Sequence, residues 1–229
     1  MSKECFIFEQ YFNLYMMKYI VTGLFMFIIA LTFINCKKQN NVVETKTIDS
    51  LSFSQSEKDS IMNQPDSIPM RIYLTINYSD SLVLRKRCVS VRPDSNDIVL
   101  KTLVKRLKLA LTSTTGVGIA APQVGINRRI IWVKRLDKTG KPYELYLNPK
   151  IVMTSQNTVL FNGDGCLSIP NQSGRTLRWA AVGIEYDLMD GTHHTEVVQG
   201  TSYSNFTAVI FQHEIDHLSG ILFIDRIAK

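Results

Sequence analysis

His213-Glu214-Ile215-Asp216-His217 is the stretch whose residue types and spacing most plainly do chemistry. Histidines four apart fall on nearly one face of a helix, so both imidazoles can address a single cation with Glu214 beside them as a base. A hydrolytic zinc or iron centre usually takes three protein ligands and keeps one position for water. The third ligand does not lie downstream. In the longer His-Glu-x-x-His-x-x-Gly-x-x-His pattern it would fall at position 223, which is Phe223, although Gly220 fits. Upstream, the best candidate is Cys166 in Gly163-Asp164-Gly165-Cys166-Leu167-Ser168, because a thiolate is a strong ligand and the flanking glycines allow close backbone approach. The bland alternative, two core histidines around a buried glutamate, leaves an unpaired carboxylate at high cost.

Three separated motifs together resemble a known family. Gly116-Val117-Gly118-Ile119-Ala120-Ala121-Pro122-Gln123, Gly165-Cys166-Leu167-Ser168 and Gln212-His213-Glu214-Ile215-Asp216-His217-Leu218 occur in the order found in peptide deformylases, and the likeness runs from about Ile68 to Lys229. That family removes the formyl group from N-terminal formyl-methionine. The resemblance implies an α+β fold, with antiparallel β-sheets around a central C-terminal helix that carries the metal motif. It implies one divalent ion, Fe(2+) expected and Zn(2+) possible, on Cys166, His213 and His217. Glu214 is then the general base and acid, with Gln123 and the Leu167 backbone N–H as donors to a developing oxyanion. Val117, Gly118 and Ile210 are expected to line the substrate site, and Arg178 to sit near the bound peptide. The implied partners are N-formyl-methionyl peptides or protein N-termini.

One position departs from the family pattern: Asp164 stands where Glu is usual, which bears on any salt bridge made from there and on how the loop is held. Asp216 is expected to hold a histidine or a neighbouring strand rather than perform chemistry. Two other functions use the same residues, an envelope amidase removing a different small acyl group and a non-catalytic metal- or peptide-binding lipoprotein. Intact Gln123 and Glu214 argue against the second.

The chain around these motifs is ordinary in bulk: 229 residues, 45% apolar and 20% charged, enough for one sizeable domain with an appendage. A net charge of +6 could suggest nucleic acid. Yet the basic residues are scattered, without an aromatic platform or recognition motif, so no nucleic-acid partner is expected. Four cysteines are too few for a disulfide scaffold. Cys88 reads as a small buried hydrophobe, and a Cys88–Cys166 disulfide would destroy the site. His193 and His194 flank a turn and read as surface residues rather than ligands.

Residues 1–36 read as a signal peptide or membrane anchor. Tyr19 to Ile34 is uncharged, short for a spanning helix but suited to the apolar core of an export signal. It ends at Cys36, which resembles the lipidated cysteine of bacterial lipoproteins, although Phe33-Ile34-Asn35 departs from the usual small residues. The implied location is the bacterial cell envelope, lipid-anchored outside the cytoplasm. An uncleaved anchor is one alternative; a non-functional segment, leaving the protein cytoplasmic, is another. Residues 37–67 are polar without a sustained apolar period and are expected to form a linker, leaving 68–229 as the catalytic domain.

Within that domain, local pattern supplies the elements that must position the motifs. A strand is expected over Arg71 to Ile76 and an amphipathic helix over Asp97 to Thr112 with a solvated basic side. Strands follow at Arg129 to Val133, Glu144 to Leu147 and Ile151 to Phe161, then a hairpin pairs Val182 to Met189 with His194 to Val198 around Asp190-Gly191. The metal helix is expected over Val209 to Phe223, with Gly220 as its stop signal.

Overall fold

The computed structural model describes residues 50–228, so the apolar run, Cys36 and the first part of the expected linker lie outside the described residues. The fold is a mixed helix and antiparallel-sheet arrangement built around one buried helix. A five-stranded sheet has the order β1-β2-β3-β6-β7, from β1 (Gly118–Ala120), β2 (Ile130–Lys134), β3 (Tyr143–Thr154), β6 (Ala181–Asp187) and β7 (His193–Gln199). A separate two-stranded ribbon pairs β4 (Thr158–Cys166) with β5 (Ile169–Trp179).

Both faces of the sheet are covered, and β2 shows how. Its side chains alternate across the strand: Ile131 and Val133 join one apolar cluster, Ile130 and Trp132 the other. The first cluster includes Ile210, Phe211 and Ile215 of the metal helix α4 (Thr207–His217). The second includes Leu100, Leu103, Leu107 and Leu111 of α3 (Ile98–Thr112), whose apolar residues recur at helical spacing. Asp97 starts α3 by accepting hydrogen bonds from the N–H groups of Val99 and Leu100 at 2.8 and 3.2 Å. Helix α4 ends at His217, earlier than the expected Phe223, and Gly220 takes the left-handed conformation at φ +73°. The hairpin around Gly191 forms as the Asp-Gly signal requires, with Gly191 at φ +87°.

Two expectations about the first part of the domain are corrected. Residues from Ser50 are not linker: they form a strap on the domain, with Phe53 and Ile61 buried in the α3 cluster. Helix α1 (Gln55–Met62) is started by a capping box in which Ser54 and Glu57 exchange hydrogen bonds. Glu57 also pairs with the buried Arg128, at 2.7 Å, and Arg128 donates to the Ser50 and Ser90 carbonyls as well. Arg106, expected on the solvated side of α3, is buried and donates to the carbonyls of Ile61 and Ile68. The segment holds too few apolar residues to fold alone, so local pattern missed it; the surface that covers it comes from α3.

The second correction concerns Arg71 to Ile76, which joins no sheet and ends in a turn at Thr75-Ile76. Its backbone instead bridges two loops: Tyr73 N–H donates to the Gln123 carbonyl at 2.7 Å and Thr75 N–H to the Ser168 carbonyl at 2.9 Å. A short helix the local pattern did not announce, α2 (Tyr78–Leu84), follows it.

Candidate metal centre

Ribbon β4–β5 delivers Cys166 to the helix by a change of register. Along β4 the side chains of Val159 and Phe161 are partly covered while Leu160 and Asn162 are exposed, so strict alternation would turn Asp164 and Cys166 outward. A bulge intervenes: Asn162 pairs with Arg175, but Asp164 pairs with Gly174, leaving Gly163 as an extra residue at φ +81°. After it, Asp164 is buried and Cys166 partly buried. Glycine is suited to that conformation because it has no Cβ to clash.

Opposite the ribbon, α4 presents His213, Glu214 and His217, all buried. Cys166 Sγ lies 3.2 Å from His217 Nε2, and donor atoms of Cys166, His213 and His217 all fall within 4.8 Å of one another. A tetrahedral ion bound by sulfur and two nitrogens separates its ligand atoms by roughly 3.3 to 3.7 Å, given metal–ligand bonds of 2.0 to 2.3 Å. The three donors therefore fit one ion with a position left over. Their partners agree. Asp164 Oδ1 lies 2.8 Å from His213 Nδ1. Burial works against the Asp164 charge, yet the His213 hydrogen bond and Arg178 outweigh it and hold the carboxyl well below the ordinary range. An ionised carboxylate only accepts, so Nδ1 carries a proton in either state of the ring. Burial opposes the His213 charge, but Asp164 and Cys166 outweigh it and raise its pKa, so an ion bound at Nε2 would take the place of the second proton. Burial pushes the His217 pKa well down, which favours the neutral ligating ring.

Glu214 sits in the same pocket with its Oε2 buried and without a hydrogen-bond partner. Burial is the main cause that pushes its pKa up to about 7, with His213 partly offsetting it. Such a group can both take and give a proton near neutral pH. Cys166, His213 and Glu214 close one end of a cavity of about 540 Å³, whose walls include Val117, Gly118, Phe161, Phe206 and Ile210; His217 lies behind Cys166. Gln123 enters from the first motif. Its Oε1 accepts from Ala120 N–H at 2.9 Å, which turns Nε2 toward Cys166 Sγ at 3.5 Å.

Most expected site residues meet here. Cys166, His213, His217, Glu214, Gln123, Leu167, Val117, Gly118 and Ile210 all surround this cavity or its floor. Arg178 does not line it. Its side chain is 2% exposed and is held by Asp164 at 2.8 Å and Asp216 at 2.6 Å. A guanidinium with both carboxylates already in place is a brace beneath the ligand histidine, and that corrects the substrate-side expectation. Asp216 reaches strand β5 through Arg178 and also pairs with Arg226 at 2.7 Å, so it holds a neighbouring strand. Phe223, where a third histidine would fall in the longer motif, stacks on His213 with ring planes 16° apart. His193 and His194 are exposed, with His193 on Asp187. Cys88 and Cys166 are both free thiols.

Local pattern missed the residue that orients His213. Asp164 stood out only as a departure from the family's Glu, and the shorter side chain still reaches His213, Arg178 and Thr176. It also missed the apolar walls Phe161 and Phe206, whose rings lie 5.4 Å apart but come from distant segments.

Comparison with known proteins agrees with this geometry. The family model described as polypeptide deformylase matches residues 73–229. A peptide deformylase from Heliobacterium modesticaldum is 35% identical over 69% of this chain and 95% of its own length. One from Synechocystis sp. is 32% identical over 67% of this chain and 79% of its own. Among solved structures, the peptide deformylase of Thermotoga maritima superposes with a TM-score of 0.60 at 33% identity, covering 70% of this chain and 99% of that one. A class I type b peptide deformylase from Acinetobacter baumannii with Met-Ala-Ser bound gives a TM-score of 0.59 at 34% identity, covering 70% and 99%.

Proposed function

The chain belongs to the peptide deformylase family, and from that premise we propose that it hydrolyses N-formyl-methionyl peptides to formate and a free amine. The observation that carries the reading is the convergence of Cys166, His213 and His217 beside a buried glutamate at the end of an apolar cavity. A divalent ion held there lowers the pKa of water toward ~7 and polarises a carbonyl. The soft sulfur and two imidazoles accept iron(II) or zinc alike, and it is the resemblance to the family that makes iron(II) the expected ion.

The protein groups divide the remaining work. Glu214, buried beside the ligand histidines at the end of the cavity, takes the proton of the attacking water and returns it to the leaving amine. Gln123 Nε2 and the Leu167 N–H donate to the carbonyl oxygen as charge develops on it, and one such donor is worth about 3 kcal/mol. Val117, Gly118 and Ile210 flank the chain of the peptide, while the apolar walls take an unbranched side chain such as methionine. Met-Ala-Ser bound to the Acinetobacter relative supports a methionyl peptide in this cavity. The test is formate release from formyl-Met-Ala-Ser by protein lacking residues 1–38, loaded anaerobically with iron(II) or with zinc, alongside acetyl and longer acyl peptides. Absence of formate with either ion rejects the reading, and Glu214→Gln should lose 10²- to 10⁴-fold in turnover at unchanged metal content.

We further propose that the enzyme is tethered in the cell envelope through Cys36 or the apolar run before it, on the strength of residues 1–38 alone. It would then meet released formyl peptides or exported N-termini. Membrane fractionation of the native protein against a Cys36→Ser variant tests this, and an equal soluble share of both rejects lipidation.

A further inference from the structure

Gln123 has one amide nitrogen with two protons, and only one of them can point into the cavity. Its carbonyl end is already fixed by the Ala120 N–H at 2.9 Å. The nitrogen end meets the Ser168 hydroxyl oxygen at 3.3 Å, and Ser168 is fully buried. Ser168 is itself anchored, because its carbonyl accepts both the Thr75 N–H at 2.9 Å and the Thr75 hydroxyl at 3.3 Å. The same segment holds the Gln123 backbone through Tyr73. We propose that Ser168 is a positioning residue: its hydroxyl occupies one Nε2 proton of Gln123 so that the other is aimed at the reacting carbonyl.

This rests on the deformylase reading and deepens it. A donor preorganised by its neighbours needs no reorientation when charge develops, whereas a freely rotating amide must be ordered at that moment. The 3.5 Å contact from Nε2 to Cys166 Sγ shows that the second proton faces the ligand cluster and not bulk protein. The segment from Tyr73 to Thr75 therefore holds both members of the pair, Gln123 by its backbone and Ser168 by its carbonyl.

The test is a double-mutant cycle on the full-length zinc-loaded protein with formyl-Met-Ala-Ser. Ser168→Ala should lower kcat about tenfold with KM within about twofold, the low end of what outer-shell partners cost. In a Gln123→Ala background, itself about 10²-fold slower, Ser168→Ala should cost nothing more. Full additivity of the two losses would overturn the proposal. A second readout needs no turnover: in the ¹⁵N spectrum the Gln123 side-chain amide should show two separate, slowly exchanging protons in the wild type and faster exchange in Ser168→Ala. A wild-type amide whose protons already exchange at the rate of free glutamine overturns the proposal even if the substrate proves different.

Discussion

Gly118→Ala separates the placement of the base from the stability of the fold. Gly118 lies on edge strand β1, facing α4, and an added Cβ would sit 2.4 Å from Glu214 Oε1 and 2.8 Å from Ile210 Cγ2. Ordinary contact begins near 3.4 Å, so roughly 1 Å of overlap must be relieved at the carboxylate. Two routes are open. Strand β1 could move, but Ile119 and Ala120 on it are fully buried, and shifting a packed strand costs about 1 to 3 kcal/mol. The cheaper route turns two side chains, Ile210 by a few tenths of an ångström and, by more, Glu214, whose Oε2 has no hydrogen bond to break. Relief therefore falls on the atom that must meet the attacking water. A displacement of about 1 Å from productive geometry typically costs about 10²-fold in rate, or about 2.7 kcal/mol of barrier. The expected result is kcat down about 10²-fold on formyl-Met-Ala-Ser, stability lower by no more than about 1 kcal/mol in urea, and the metal retained. Wild-type kcat would refute the reasoning, as would a stability loss large enough to explain the rate.

Asp164→Ala should destabilise the protein by about 3 kcal/mol in urea, the low end for a broken buried pair because Arg178 keeps Asp216. It should also weaken zinc affinity about 10- to 100-fold by freeing the His213 ring, and wild-type affinity in a competition titration would contradict that. Burial pushes the Cys88 thiol up to about 12, so at pH 8 only about one part in ten thousand is thiolate and iodoacetamide should modify it only after unfolding. Modification of the folded protein at the rate of free cysteine would refute that. For the strap, burial of Glu57 opposes its charge, but the Arg128 and Ser54 hydrogen bonds outweigh it and lower its pKa. Its contribution is therefore fully present above the unfolded carboxylate value of ~4.3 and is lost as pH falls through the lower folded value. Hydrogen exchange should show residues 50–63 losing protection in acid before α3 does; simultaneous loss would show that Glu57 does not hold them.

The chemistry of this protein was written locally. Two histidines four residues apart share a helix face whatever surrounds them, because the helical period alone sets their direction. The helix over Ile98–Thr112 and the turn at Gly191 were likewise readable, since each rests on contacts a few residues away. Tertiary structure decided what depends on partners far along the chain. The bulge at Gly163 turns Asp164 and Cys166 inward, and period-two alternation along β4 would have turned them out. Arg178 became a buried brace because Asp164 and Asp216, fourteen and thirty-eight residues away, close on it in the folded state. Residues 50–67, too polar to bury themselves, acquired structure only when α3 offered Phe53 and Ile61 a surface and Arg128 and Arg106 took up their carbonyls. Helical direction is a local property; burial and register are properties of the whole chain, and these set the ligand geometry.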